Sequence, residues 1–189
     1  IAKEKGLEPL SVLIMLQQTK EPLEVEAEKY ISEEKEVKSA KEALSGAMDI
    51  IAESISDEAD YRSWIRKQTM QKGKIISAAK DAEAESVYEM YYEFEEPIGK
   101  LAGHRILALN RGEKEKFLTV KIEAPEEDIL RYLEKQVIRR DNPYTRPVLK
   151  DVVEDSYKRL IAPAIEREIR NELTAVSYTH LRAHETRHD

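Results

Sequence analysis

Apolar residues recur along this chain at spacings of three and four, the period that gathers them on one face of an α-helix. Gly6 reads as the stop of a preceding helix, and Pro9, at a first helical position, opens a short one through Leu10, Leu13, Ile14 and Leu16. Pro22 opens a second, with Val25, Ala27, Tyr30 and Ile31 spaced for one buried stripe and Val37 anchoring the loop after it. The two make a helical hairpin. Ser39 followed by Glu42 is a capping box, in which hydroxyl and carboxylate take unpaired amides, and it leads into Ala43, Leu44, Ala47, Ile50, Ile51 and Ile55. Small residues on that helix (Ala40, Ala43, Gly46, Ala47) predict close approach by a neighbour, with Gly46 there for packing. Ser56 and Asp57 then read as an N-cap, Glu58 and Asp60 as acids in the positive first turn, and Gly73 as the helix end.

The second half is less uniform. Ile75 to Lys80 is ambiguous between strand and helix, whereas Ala82 to Met90 reads as helical. Residues 104–111 predict a helix closed by Gly112. After it, Leu118, Val120 and Ile122 alternate with Thr119 and Lys121, the period of a strand. Pro125 and its following acids start a helix running to about Arg140, which Asp141, Asn142 and Pro143 break. A last stretch from about Arg146 to Thr174 is interrupted at Pro163, which has no amide hydrogen to donate. The fold expected is mainly α: an array of helical hairpins, helix-turn-helix-like, with at most one or two short strands near 117–123.

Composition agrees. Charged residues make up 37% of the 189, and glycine and proline are scarce, as in a helix-rich protein with solvated outer faces. The absence of cysteine excludes a disulfide framework and a thiolate metal site, and no apolar run is long enough to span a membrane, so a cytoplasmic protein is expected. A net charge of −7 argues against a large phosphate-binding surface, leaving only local nucleic-acid contact. Beginning on Ile1 within a helical pattern, the chain reads as a fragment. Residues 176–189 differ in character: they hold His180, His184 and His188, and they resemble sequencing-adaptor DNA translated at a broken gene end. They are expected to be a non-native tail, and their histidines are not taken as a metal site.

Four runs carry a family resemblance. They are Lys5-Gly6-Leu7-Glu8-Pro9-Leu10, the stretch Glu42 to Glu53, the stretch His104 to Glu113, and Asp155 to Pro163 continuing through Glu166-Arg167-Glu168-Ile169-Arg170. In order and spacing the chain resembles the Tex family of bacterial RNA-binding transcription accessory proteins over residues 1–175. One departure is Ala102-Gly103, where the family pattern leads to the expectation of Pro-Ser. The resemblance implies a multidomain protein with a helical N-terminal region, an RNase H-like domain of the YqgF type, a helix-hairpin-helix pair and a C-terminal OB-fold that binds RNA. On that basis residues 1–96 would belong to the N-terminal helical region, and 97–175 would lead to an RNase H-like domain lying downstream.

The segment around His104, Arg105, Arg111 and Lys114 is the candidate for nucleic-acid contact, since its cations could reach phosphates near a helix-to-strand turn. The simpler reading, which we prefer, has Arg105 and Arg111 paired with Glu93, Glu95, Glu96 or Glu113. Arg62, Trp64, Arg66 and Lys67, and separately Tyr88, Tyr91, Tyr92 and Phe94, mix charge with aromatics as single-strand binders do, but helical spacing offers a simpler account: Tyr88 and Tyr92 share a face with Tyr91 offset from them, and Trp64 with Ile65 enters the core while the arginines stay in water. Asp49 with Glu53 could share a metal only with further ligands, which the pattern does not supply, and Glu166 with Arg170 reads as an ion pair. No phosphate loop or nucleophile elbow is present, so neither catalysis, cofactor nor metal is expected. The function expected is a helical scaffold positioning nucleic-acid-binding domains, with RNA, and DNA as a further ligand, bound mainly by those domains. The alternative is a protein-interaction module docking the transcription or translation machinery.

Overall fold

The computed structural model describes residues 1–186, with side chains through Ala183. The expectation about His188 therefore falls outside the described residues, as does that about the side chain of His184. The chain is mainly helical with one small sheet, in the order α1 (Glu8–Leu16), α2 (Leu23–Glu28), α3 (Ala40–Asp57), α4 (Ala59–Lys72), β1 (Lys74–Ala79), β2 (Glu93–Pro97), α5 (Gly103–Lys114), β3 (Leu118–Glu123), α6 (Glu126–Val137), α7 (Arg146–Asp155), a π-helical turn (Ser156–Ile161) and α8 (Ala162–Thr186). It divides into two compact units, one of Ile1–Arg62 with Glu127–Ala162, the other of Ser63–Glu126 with the residues from Pro163 on.

The first unit is helical. The expected capping box starts α3: Ser39 Oγ accepts from the Glu42 amide at 3.1 Å, and the Glu42 carboxylate accepts from the Lys38 amide at 2.9 Å. The face it aligns (Ala43, Ala47, Ile50, Ile51, Ile55) is buried against α1, α2, α7 and the π turn. A methyl group on Gly46 would sit 2.3 Å from Leu7 Cδ1, so its absence lets Leu7 reach the α3 backbone. In α6, Ile129, Leu133 and Val137 are spaced four apart and buried, each contributing about 2 kcal/mol by leaving water. Asn142 ends the break before α7, its side-chain oxygen accepting from the Tyr144 and Thr145 amides at 2.9 and 3.0 Å.

Several local expectations need correction here. In α2 the buried positions are Leu23 and Ala27, while Val25 and Ile31 are exposed, because the helix ends at Glu28 before the stripe develops. Ser56 and Asp57 close α3 instead of capping α4: the Ser56 hydroxyl donates to the Glu53 carbonyl, and the extended residue between the helices is Glu58. The interruption expected at Pro163 is the π turn just before it. The amide of Ala162 reaches five residues back to Tyr157, a wider turn that accommodates a ring which would otherwise meet the carbonyl four residues behind. Ser156 within that turn is fully buried and donates to the Ala52 carbonyl of α3 at 2.6 Å.

The second unit holds a three-stranded antiparallel sheet in the order β2-β1-β3. The strand expected at 117–123 is present, and the ambiguous stretch is its central partner, pairing Ser77 with Val120 on one side and with Phe94 on the other. The third strand was not anticipated. Residues 82–90 are not a helix: Asp81 turns the backbone by accepting from the Glu83 amide at 3.0 Å, and the Tyr92 hydroxyl takes the Ala84 carbonyl at 2.7 Å. Gly112 lies inside α5 rather than closing it. The left-handed residue that ends the helix is Lys116, φ 68°, whose amide bonds back to Glu113. At Gly112 an added methyl would fall 2.5 Å from Leu118 Cδ1, so this glycine is a packing position against β3. Finally, α8 continues past Thr174 to Thr186, with Ser177 buried and donating to the Leu173 carbonyl.

Candidate nucleic-acid interface

The interface is built on α5, whose buried face is Ile106, Leu109 and Gly112, packed on β3. Its start lacks a side-chain cap at Ala102, and its last turn carries Arg111 and Lys114, cations placed where the helix dipole is negative. At about 100° per residue, His104 and Arg111 fall on nearly the same line of the helix, Lys114 lies about 60° from Arg111, and Arg105 points well away from both. The side chains follow that division. His104 and Arg111 line one groove of about 570 Å³ together with Leu107, Ala108, Ser177 and His180. Both are exposed, as is Lys114, which lies outside the groove lining.

Arg105 is turned to the sheet. It donates to Glu96 at 3.0 Å and lies 5.6 Å from the centre of the Phe94 ring, a cation over an aromatic face. Of the four residues singled out, then, two share a groove, one is free at the helix end, and one is tied to β2.

A polar cluster that the spacing of residues did not reveal lies on the same helix. Arg170 of α8 donates to Glu113 at 2.8 Å and to the Asn110 side-chain oxygen at 2.9 Å, and Asn110 in turn donates to Thr174 at 2.7 Å. Glu166, read earlier as the partner of Arg170, instead accepts from the Ile122 amide on the outer edge of β3 at 3.1 Å. The only hint in the sequence was polar residues on the face of α8 that repeats every three to four positions, which does not say what they meet.

The aromatic groups belong to packing. Tyr88 and Tyr91 are buried, Tyr91 meets Phe94 edge-on at 5.2 Å, and Tyr88 lies 5.9 Å from Phe117. They do so from a loop, a 3₁₀ turn and a strand, not from the shared helical face expected. The Tyr88 hydroxyl donates to Glu115; burial and then that bond raise its pKa above the ordinary phenol value, while Arg111 acts in the opposite sense. Ile65 of α4 is fully buried with Trp64 half-buried beside it, and Arg66 pairs with Glu172. In the first unit Asp49 lies 3.5 Å from Arg159, itself bound by Asp155. Among the described residues no three His, Asp or Glu side chains converge on one point, and no helix is long and apolar enough to cross a membrane.

The model of the Tex central region-like family matches residues 17–179. Among curated proteins the chain is 54% identical over 177 residues to YdcI of Bacillus subtilis, covering 92% of this chain and 25% of that one. It is 28% identical over 187 residues to the transcriptional accessory protein Tex of Neisseria gonorrhoeae, covering 95% of this chain and 24% of the relative. Against the human S1 RNA-binding domain-containing protein 1 it is 30% identical over 145 residues, 69% of this chain and 14% of that protein. The chain thus spans a quarter or less of the length of these relatives. With the family model covering most of its residues, the chain belongs to the Tex family.

Proposed function

We propose that this chain is a helical support segment of a Tex-type transcription accessory protein, holding nucleic-acid-binding domains in position and performing no chemistry of its own. The observation that carries this is the use of its cations. Arg66, Arg105 and Arg170, which would have to face outward in a phosphate-binding surface, are paired with Glu172, Glu96 and Glu113 of the same fold. Acids outnumber bases, 38 to 31, so no broad positive field remains to attract a polyanion. His104, Arg111 and Lys114 are left for local contact with a strand that other parts of the longer protein grip.

In this role RNA, and DNA as a further ligand, are partners of the assembled cytoplasmic protein, and the segment's task is geometric. The names of two relatives, a transcriptional accessory protein and an S1 RNA-binding domain-containing protein, support the context. A salt titration tests it. The chain should bind neither single-stranded RNA nor duplex DNA up to tens of micromolar, roughly the strength of useful nonspecific contacts. Tight binding that weakens steeply with salt, with a slope that Arg111→Ala plus Lys114→Ala flattens, would replace the support role with direct recognition.

A further inference from the structure

In the first unit, α1 and α3 leave a groove of about 580 Å³. Its apolar lining is Val12, Met15 and Leu16 from α1 with Ile50 and Ile51 from α3. α1 already buries Leu10 and Ile14, yet it also presents Val12 and Leu16 at 53% and 57% exposure. A helix of a globular domain ordinarily keeps one apolar stripe and turns it inward, so the second stripe is a face in want of a partner.

The rim is predominantly acidic. Glu8, Glu53, Asp57 and Glu58 surround the groove, with Lys3 as its single cation. Arg159, whose charge reaches Glu53, is held by Asp155 and Asp49. Both helices also end at the groove, and neither has a basic residue in its last turn.

The geometry points to this groove as a docking site for a basic amphipathic helix of a partner protein. Such a helix would lay apolar side chains, spaced three and four apart, on Val12, Met15 and Leu16, and its flanking lysines and arginines would meet Glu8, Glu53, Asp57 and Glu58. This stands apart from the support role, and the peptide experiment and the nucleic-acid titration can fail separately.

The probe is a fluorescein-labelled peptide of about 15 residues, roughly four helical turns, with leucines on one face and lysines and arginines beside them. Fluorescence anisotropy should show saturable binding. Leu16→Ser, and separately Glu53→Lys with Asp57→Lys, should each weaken it about tenfold, the scale of one good interfacial contact, while far-UV circular dichroism stays unchanged. Three results would overturn the assignment: equal binding of a peptide with the same leucines and acidic flanks, affinity indifferent to both variants, or sedimentation showing that a second copy of this chain fills the groove through a dimer that Leu16→Ser dissolves.

Discussion

The side-chain amide of Gln17 donates to the carbonyl of Val137, the last residue of α6, across 2.8 Å and 120 positions of sequence. Its oxygen accepts from the Arg139 and Arg140 amides at 3.0 and 3.2 Å, so one buried side chain serves three backbone groups at the exit from α6. Gln17 does this from the left-handed region, φ 56°, where a side chain other than glycine is strained by roughly 1 kcal/mol. Two substitutions separate the terms. Gln17→Ala loses the bonds and keeps the strain, and should cost about 2 to 3 kcal/mol. Gln17→Gly loses the bonds and relieves the strain, and should cost about 1 kcal/mol less than the alanine variant. Urea denaturation midpoints check the order; an alanine variant as stable as the glycine one would show that the left-handed backbone at residue 17 carries no strain, leaving the side-chain bonds as the only term at this junction.

Gly46 and Gly112 make a matched pair of packing positions. Alanine in a helix is ordinarily better than glycine by about 1 kcal/mol. Here its methyl group would enter the space of Leu7 Cδ1 in one case and of Leu118 in the other, and both leucines are fully buried. Overpacking of a closed core costs about 1 to 3 kcal/mol, so the balance should be a net loss at both positions. It should be larger at Gly112, where Leu118 Cγ at 2.9 Å and Tyr88 at 3.2 Å close off retreat as well. Thermal melts of Gly46→Ala and Gly112→Ala test this, and a raised midpoint for either would mean that the leucine has another rotamer available.

What could be read from the sequence was what neighbours along the chain decide. Ser39 and Glu42 are three apart, and the cap forms as expected, the hydroxyl taking the Glu42 amide and the carboxylate that of Lys38. Gly46 stood among small residues on one helical face, and that face is in contact. By contrast β1 and β2 owe their existence to each other. Lys74 to Ala79 contains nothing that forbids a helix, and it becomes the central strand because Glu93–Pro97 and Leu118–Glu123 lie on either side to take its amides. Gly112 was misassigned because a glycine at a helix end and a glycine under a leucine look alike in sequence. In the candidate interface, the local pattern led to the basic turn of α5, but only the folded chain separates Arg105, held by Glu96, from Arg111 in its groove.

The Arg170 cluster should depend on shape more than on charge. Its guanidinium reaches Glu113 and Asn110 at once from a largely buried position. A lysine retains the charge but brings it to one point and cannot span both acceptors. Arg170→Lys should therefore destabilise the chain by about 1 to 2 kcal/mol, close to the cost of Arg170→Met. If the lysine variant melts with the wild type, a simple ion pair to the partly exposed Glu113 is all the cluster provides.

Alkaline pH should expose the Tyr88 contact with Glu115. Burial first, and the hydrogen bond second, raise the Tyr88 pKa above its ordinary value of 10.0, while Arg111 pulls it down. Below that value the phenol is protonated whether the chain is folded or not, and its contribution is complete. Above it the unfolded chain loses the proton more readily than the folded one, so stability falls as pH rises toward the higher folded value. Tyr132, raised mainly by burial, falls away in the same direction, so the two share the alkaline limb. Tyr88→Phe should remove part of the loss above pH 10.0 and leave the rest to Tyr132. Arg111→Ala should move the Tyr88 titration higher still, which links a residue of the candidate interface to a reporter in the core. Ultraviolet difference titration of tyrosinate follows both. An Arg111→Ala curve superimposed on the wild type would show that the arginine's charge does not reach the phenol.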